Sequence, residues 1–173
     1  MTENNLAEHP AAGNSADDQA ALTEPVQRAL AKRLFNQTWE LIDAPDRTPE
    51  LDRLMLVTAC AAWVHWDAIG TEQNRAIADW QVAHVASLLG YGDLAIAYAT
   101  NAYDRTRAAK LPDWMHASAL EGLARAYAAA GDQQSRDEYL RLANEAVSIV
   151  TDQEERELIG SQIATVPQAR PAR

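Results

Sequence analysis

Four histidines and one cysteine are the side chains here best suited to ligating a metal or moving a proton near neutral pH. Five tryptophans are the strongest means of gripping a flat or apolar ligand. His65 is the first candidate. It stands in the apolar stretch Leu54 to Trp66, at helical spacing from Leu51, Met55, Thr58 and Ala62, so its ring is expected to point into an interface between helices. One reading makes it a neutral core histidine donating to a carboxylate or carbonyl, and the other a base or donor facing a pocket. Both need a partner for the ring, and Glu121 and Asp79 are groups of the right kind. A zinc or iron site needs three or four convergent His, Cys or carboxylate groups. His65, His84 and His116 come from three different helices without an HxxxH or ExxH pair, so neither a metal nor another cofactor is expected. His9 precedes Pro10 in a polar tail and is given no role.

The elements that must hold these groups are helices. Abundant alanine, 6% aromatic residues, and seven each of Gly and Pro favour closely packed helices over a sheet. Thr23-Glu24-Pro25 supplies a cap, an acid and an early proline for a first helix reaching about Asp43, with Val26, Leu30, Leu34 and Leu41 as its stripe and Phe35, Trp39 and Ile42 adjoining. Thr48-Pro49-Glu50 starts the second, which Gly70 stops. Because Leu54 to Trp66 is apolar nearly all round, this second helix is expected to be the covered, central one. The third runs from Thr71-Glu72 to Leu89, the fourth from Leu94 to about Lys110, the fifth from Trp114 to Ala130 and the sixth from Asp132 to about Val150. Asp152 to Glu155 has capping-box spacing for a seventh, with Leu158, Ile159, Ile163 and Val166 as its buried side. Along these helices Arg75 and Asp79 are placed for an ion pair, and Glu121 and Arg125 for an exposed one.

Connections of two to six residues make the helices antiparallel neighbours, and the later ones echo one another. Leu120, Leu123, Ala124 and Tyr127, followed by Gly131-Asp132, Leu140 and Ala143, stand at the spacing of the W-x₂-L-G-x₂-Y signature. Val82, Ala83 and Ala86, then Gly90, Ala95, Ala99 and Ala102, give a weaker copy. This pattern resembles a tetratricopeptide repeat. Arg136 occupies a place where the repeat has a small residue, and the wide spacing of Gly90 and Gly131 predicts a long fourth helix. The run of Trp39, Asp46-Arg47-Thr48-Pro49-Glu50, His65-Trp66, Gly70-Thr71, Asn74-Arg75, Trp80-Gln81 and Leu123-Ala124-Arg125-Ala126-Tyr127 is similar to a group of small bacterial proteins of tetratricopeptide-like type. The resemblance covers most of the chain from Leu34 on and implies an all-α fold, about seven antiparallel helices in a right-handed array, without an established activity.

In such arrays the first helix of each pair lines the concave side. The expected groove therefore gathers His65, Trp66, Asn74, Arg75, Trp80, Gln81, Glu121 and Arg125, a polar surface able to clamp a carboxylate or a backbone. No glycine-rich phosphate loop, Ser/His/Asp order or paired catalytic carboxylates appear at a readable spacing, so no catalytic residue is assigned. The leading expectation is a non-enzymatic scaffold for a protein or peptide, basic or amphipathic to suit an acidic groove. The alternative is a small-molecule-binding or metal-assisted enzyme built around His65.

Bulk properties set the remaining expectations. A chain of 173 residues fits one domain, here 23–166, between a disordered acidic tail over 1–22 and a flexible tail over 167–173. A net charge of −10 with scattered basic residues repels a phosphate backbone, so nucleic acid is not an expected partner. The longest apolar run, about 13 residues, is short of a membrane span, and no basic segment followed by an apolar run opens the chain. A lone Cys60 in an apolar setting suits a reducing compartment, and the cytoplasm is the expected location. The exposed ends of a repeat array also leave room for a homodimer.

Overall fold

The computed structural model describes residues 22–169; the expected acidic tail, apart from Leu22, and residues 170–173 lie outside them. Seven α-helices and no strand make up the described chain: α1 (Glu24–Ile42), α2 (Pro49–Ile69), α3 (Glu72–Leu89), α4 (Gly92–Ala108), α5 (Asp113–Ala130), α6 (Gln133–Ser148) and α7 (Gln153–Ala164). No helix among these residues is long and apolar enough to cross a membrane.

The boundaries follow from local chemistry. Thr48 caps α2 by accepting from Leu51 N–H, with Pro49 as the first helical residue. Thr71 and Asn74 form a reciprocal capping box at the start of α3. Asp132 and Asp152 accept from Ser135 and Glu155 N–H to start α6 and α7. Gly90 and Gly131, at φ 78° and 83°, close α3 and α5 in the left-handed conformation that glycine adopts without a Cβ clash. The fourth helix is 17 residues, shorter than α5 with 18, so the wide Gly90-to-Gly131 spacing is shared between both helices rather than taken up by α4 alone.

The helices pack most extensively as three hairpins, α1 with α2, α3 with α4 and α5 with α6, and α7 lies against α5 and α6. Alanines set the spacing. Ala83 and Ala86 of α3, Ala95 and Ala99 of α4, and Leu123 and Ala126 of α5 form one buried cluster, which brings three helix backbones close together. Leu120 and Ala143 join Ala146, Val150, Ile159 and Ile163 in a second, under α7.

The expected central helix is not the central one. Ten residues of α3 and eleven of α5 are buried against five of α2, so α3 and α5 are the covered helices. Only one side of α2 packs on its neighbours, through Met55, Ala59, Ala62 and Trp66, while Leu54, Val57 and Val64 face solvent. The apolar run from Leu54 to Trp66 carried no information about how many neighbours cover it.

Beyond α7, order continues past Pro167, where a flexible tail was expected to begin. Arg136 is buried and donates to the carbonyls of Val166 and Pro167, while Ala169 N–H donates to the Gln133 side chain. The arginine that departs from the repeat pattern thus ties the last described residues to α6.

Candidate functional site

The helices α1, α3, α5 and α7 surround a cavity of about 350 Å³, to which α4 also contributes Ala102 and Thr106. Phe35 and Trp39 form its α1 wall, Ile77 and Trp80 come from α3, Trp114 and Ser118 from α5, and Leu158 and Gln162 from α7. Glu155 is the one ionisable side chain in its lining. Phe35 and Ile77 also border a second cavity of about 280 Å³, closed by Lys32, Asn36, Trp66 and Asn74. The two spaces flank one seam, where α1 and α3 meet through side chains rather than through close backbone packing.

Trp80 is the hinge of this architecture. Its ring lies 5.9 Å from Trp39 and 5.1 Å from His84, and its Nε1 donates to Glu121 Oε2 at 3.3 Å. Glu121, with no exposure, accepts from Arg125 Nε at 2.7 Å, and the same guanidinium donates to the Gln162 carbonyl and to Thr165 Oγ1 of the following residues. One buried pair therefore fixes the indole from below and holds α7 as the opposite wall. Burial pushes the Glu121 carboxyl above the usual carboxylate range, and Arg125 acts against that shift.

The indole can lie this close to α5 because residue 122 is glycine. A Cβ there would stand 2.9 Å from Trp80 Cδ1 and 3.2 Å from Nε1, inside van der Waals contact. Gly160, in the middle of α7, has nothing within 4 Å of the same position. Alanine is expected to act with opposite sign at the two sites. Gly160→Ala should stabilise by about 0.5–1 kcal/mol through helix propensity. Gly122→Ala should destabilise by about 1 kcal/mol because displacement of the ring outweighs that gain. Denaturant unfolding of both variants, with tryptophan emission as the probe, checks the pair; two stabilising substitutions would contradict the contact.

His84 completes the aromatic group, 5.7 Å from Trp39 and 9% exposed. Burial, reinforced by the positive charge of Arg125, pushes its pKa down to about 3. Among the described residues its Nδ1 and Gln81 Oε1 have no hydrogen-bond partner, although Gln81 Nε2 donates to the Phe35 carbonyl.

The expected site residues fall into three groups. Trp80, Glu121 and Arg125 form one connected unit, but the expected exposed Glu121 to Arg125 pair is instead buried under α7. Trp66 and Asn74 border the smaller cavity, and Asn74 also serves the α3 cap. His65, Arg75 and Gln81 line neither cavity. His65 is half-buried and makes no side-chain hydrogen bond among the described residues; both proposed partners are occupied, Glu121 as above and Asp79 by Trp63 Nε1 at 2.7 Å and Arg105 Nε at 2.8 Å. Nor do Arg75 and Asp79 pair. Arg75, in the first turn of α3, reaches Glu72 and the Asp67 carbonyl, whereas Asp79 is fully buried one turn on, facing Trp63 of α2 and Arg105 of α4. Burial pushes the Asp79 carboxyl upward against the pull of those two donors.

The expected polar groove is therefore an apolar, indole-lined one, with its charged groups buried behind the wall. Phe35 and Trp39 were absent from the expected site, although their presence beside the first helix's main stripe marks a second apolar face. Ser118 and Gln162 carried no comparable signal, and Leu158, expected on the buried side of the seventh helix, is instead 54% exposed at the cavity. Among the described residues, no three His, Cys, Asp or Glu side chains are grouped so as to hold a metal ion. No protein-family model, curated protein or solved structure matches the chain.

Proposed function

We propose that this chain is a non-catalytic, tetratricopeptide-like helical-repeat protein that binds a segment of a partner protein by inserting a bulky apolar side chain between α1 and α7. The reading rests on the 350 Å³ cavity walled by Trp39, Trp80 and Trp114. Clustered indoles supply large, rigid contact area at small entropic cost, as anchor pockets for peptides require. The hairpin pairing, the alanine spacing between hairpins and the predominance of α1, α3, α5 and α7 in a lining that α4 joins only through Ala102 and Thr106 all suit an array that binds on its first-helix face. Glu155 at the cavity and the net charge of −10 favour basic residues flanking the apolar anchor. A single free cysteine and the absence of a spanning helix among the described residues accord with a role in the bacterial cytoplasm.

Selection of displayed amphipathic peptides against the protein tests this reading. Bound peptides should share one large apolar residue with Lys or Arg nearby, and should shift the tryptophan emission. Ser118→Trp, which fills the cavity from a half-buried lining position, should weaken the selected peptides at least about tenfold without lowering the melting temperature. Peptides that bind Ser118→Trp unchanged would remove the cavity from the proposal.

The cavity volume supports a second reading, since ligand sites of about 300–1,000 Å³ are common for small molecules. An apolar metabolite that raises the melting temperature of the native protein, and not of Ser118→Trp, would favour it. Catalysis by His65 gains no support from this geometry, because the ring borders neither cavity.

A further inference from the structure

The bare face of α2 is patterned. Three of the eight large apolar side chains exposed on the described molecule lie on it, Leu54, Val57 and Val64, at 44%, 59% and 56% exposure. With half-buried Ala61 and exposed Ala68, they repeat at intervals of three, four, three and four residues. That is the seam of a coiled coil, in which each apolar residue packs into a hole on a facing helix. The stripe runs roughly 21 Å at 1.5 Å per residue, most of the length of α2. Nothing in the α1 or α3 packing uses it, since those helices meet the opposite side of α2 through Met55, Ala59, Ala62 and Trp66.

We propose that this seam is a homodimer interface in which α2 packs antiparallel against α2 of a second copy. The charges beside the stripe select that occupant. Arg53 is exposed at one end, and Asp67, on the same flank and two heptads further on, is exposed at the other. An antiparallel two-fold that sets Leu54 against Val64 of the second copy, and Val57 against its Ala61, also sets Arg53 against the second copy's Asp67, twice by symmetry. A flank with Arg53 toward one end and Asp67 toward the other is self-complementary at those two positions in this arrangement, as an isologous interface requires. In a parallel arrangement it meets like with like. Asp67 already pairs through Oδ1 with Arg75 and Arg105 at 3.8 and 3.6 Å, but its side chain is 46% exposed, so a further cation can reach it from the seam. Like net charges of −10 oppose association, so affinity comes from the apolar seam and orientation from the charge pair. Cys60, half-buried on the same flank midway between Arg53 and Asp67, falls beside the two-fold axis.

The test is the mass of the full chain by light scattering and sedimentation, from about 5 to about 500 µM, the range in which a small interface associates. The native protein should approach twice its 19.0 kDa chain mass with rising concentration. Val57→Lys, a change at an exposed position, should stay monomeric with unchanged helical circular dichroism. Arg53→Asp and Asp67→Lys should each weaken self-association by about tenfold or more, and an equimolar mixture of the two should recover dimer, because the mixed pair satisfies both contacts. If Asp67→Lys fails to fold, Arg53→Lys retaining the dimer that Arg53→Asp loses reads the same contact. A native protein that stays monomeric over the whole range, a Val57→Lys protein that still dimerises, or folded variants whose mixture gives no mixed dimer would each overturn the proposal.

Discussion

Arg125→Met is expected to destabilise the fold by about 3–5 kcal/mol, the cost typical of removing one partner from a buried ion pair. Glu121 has no exposure, and without Arg125 its one remaining donor among the described residues is Trp80 Nε1 at 3.3 Å. The carboxyl must then either stay charged in an apolar interior or take up a proton. Burial already moves it toward the second course. The sign of the pH dependence follows. A carboxyl whose folded pKa lies above its unfolded value near 4.5 binds more protons when folded, so stability is full below that value and declines as pH rises through the folded pKa. Arg125→Met should therefore be less stable at pH 8 than at pH 5.5, in urea unfolding followed by circular dichroism. Removing both charges, in Glu121→Leu with Arg125→Met, should recover most of the loss, because an apolar pair of similar volume leaves no uncompensated charge. The guanidinium also donates to the Gln162 carbonyl and Thr165, so the double variant should retain weaker protection of α7 amides in hydrogen exchange. A single variant within 1 kcal/mol of the native protein, on an about ±0.5 kcal/mol scale of ordinary surface changes, would show that the pair is open to water.

This pair illustrates what the sequence could and could not disclose. Residues four apart on one helix face are close whatever surrounds that helix, so the contact between Glu121 and Arg125 was legible, as were the caps at Thr48, Thr71 and Asp152 and the stops at Gly90 and Gly131. Their burial was not, because it depends on α7 folding back across α5, a long-range event that leaves no local periodicity. The same distinction explains Asp79, four from Arg75: Glu72 of the same helix and the Asp67 carbonyl take the arginine, while the competition of Arg105 and Trp63 for the carboxylate is decided by neighbouring helices. His65 failed as a centre for a related reason. Helical spacing placed it beside Met55, Thr58 and Ala62, which are buried, but one position around the helix separates the packed side of α2 from its edge. The all-α class and the seven helices were readable from composition and punctuation; which helix lies in the middle was a property of their assembly.

Acidification from pH 7 to pH 5 is expected to cost the native protein about 2 kcal/mol through His84 alone. The ring is packed between Trp39 and Trp80, and burial with the nearby Arg125 charge holds its pKa down to about 3 against an ordinary value of 6.5. Below 6.5 the unfolded chain gains a proton that the folded chain refuses, so stability is fully present above that pH and lost as pH falls toward 3. Glu121 and Asp79, with raised carboxyl values, respond in the opposite direction and mask part of the slope. The comparison that isolates His84 is therefore with His84→Phe, which keeps an aromatic ring against both indoles and removes the titration. Native protein should lose about 2 kcal/mol relative to His84→Phe between pH 7 and pH 5. At pH 7 the phenylalanine variant should be at least as stable, since the buried Nδ1 that it replaces has no partner to lose. Parallel stability curves for the two proteins would mean that protonated His84 is accommodated in the fold, and would make the aromatic wall of the cavity far less rigid than its packing implies.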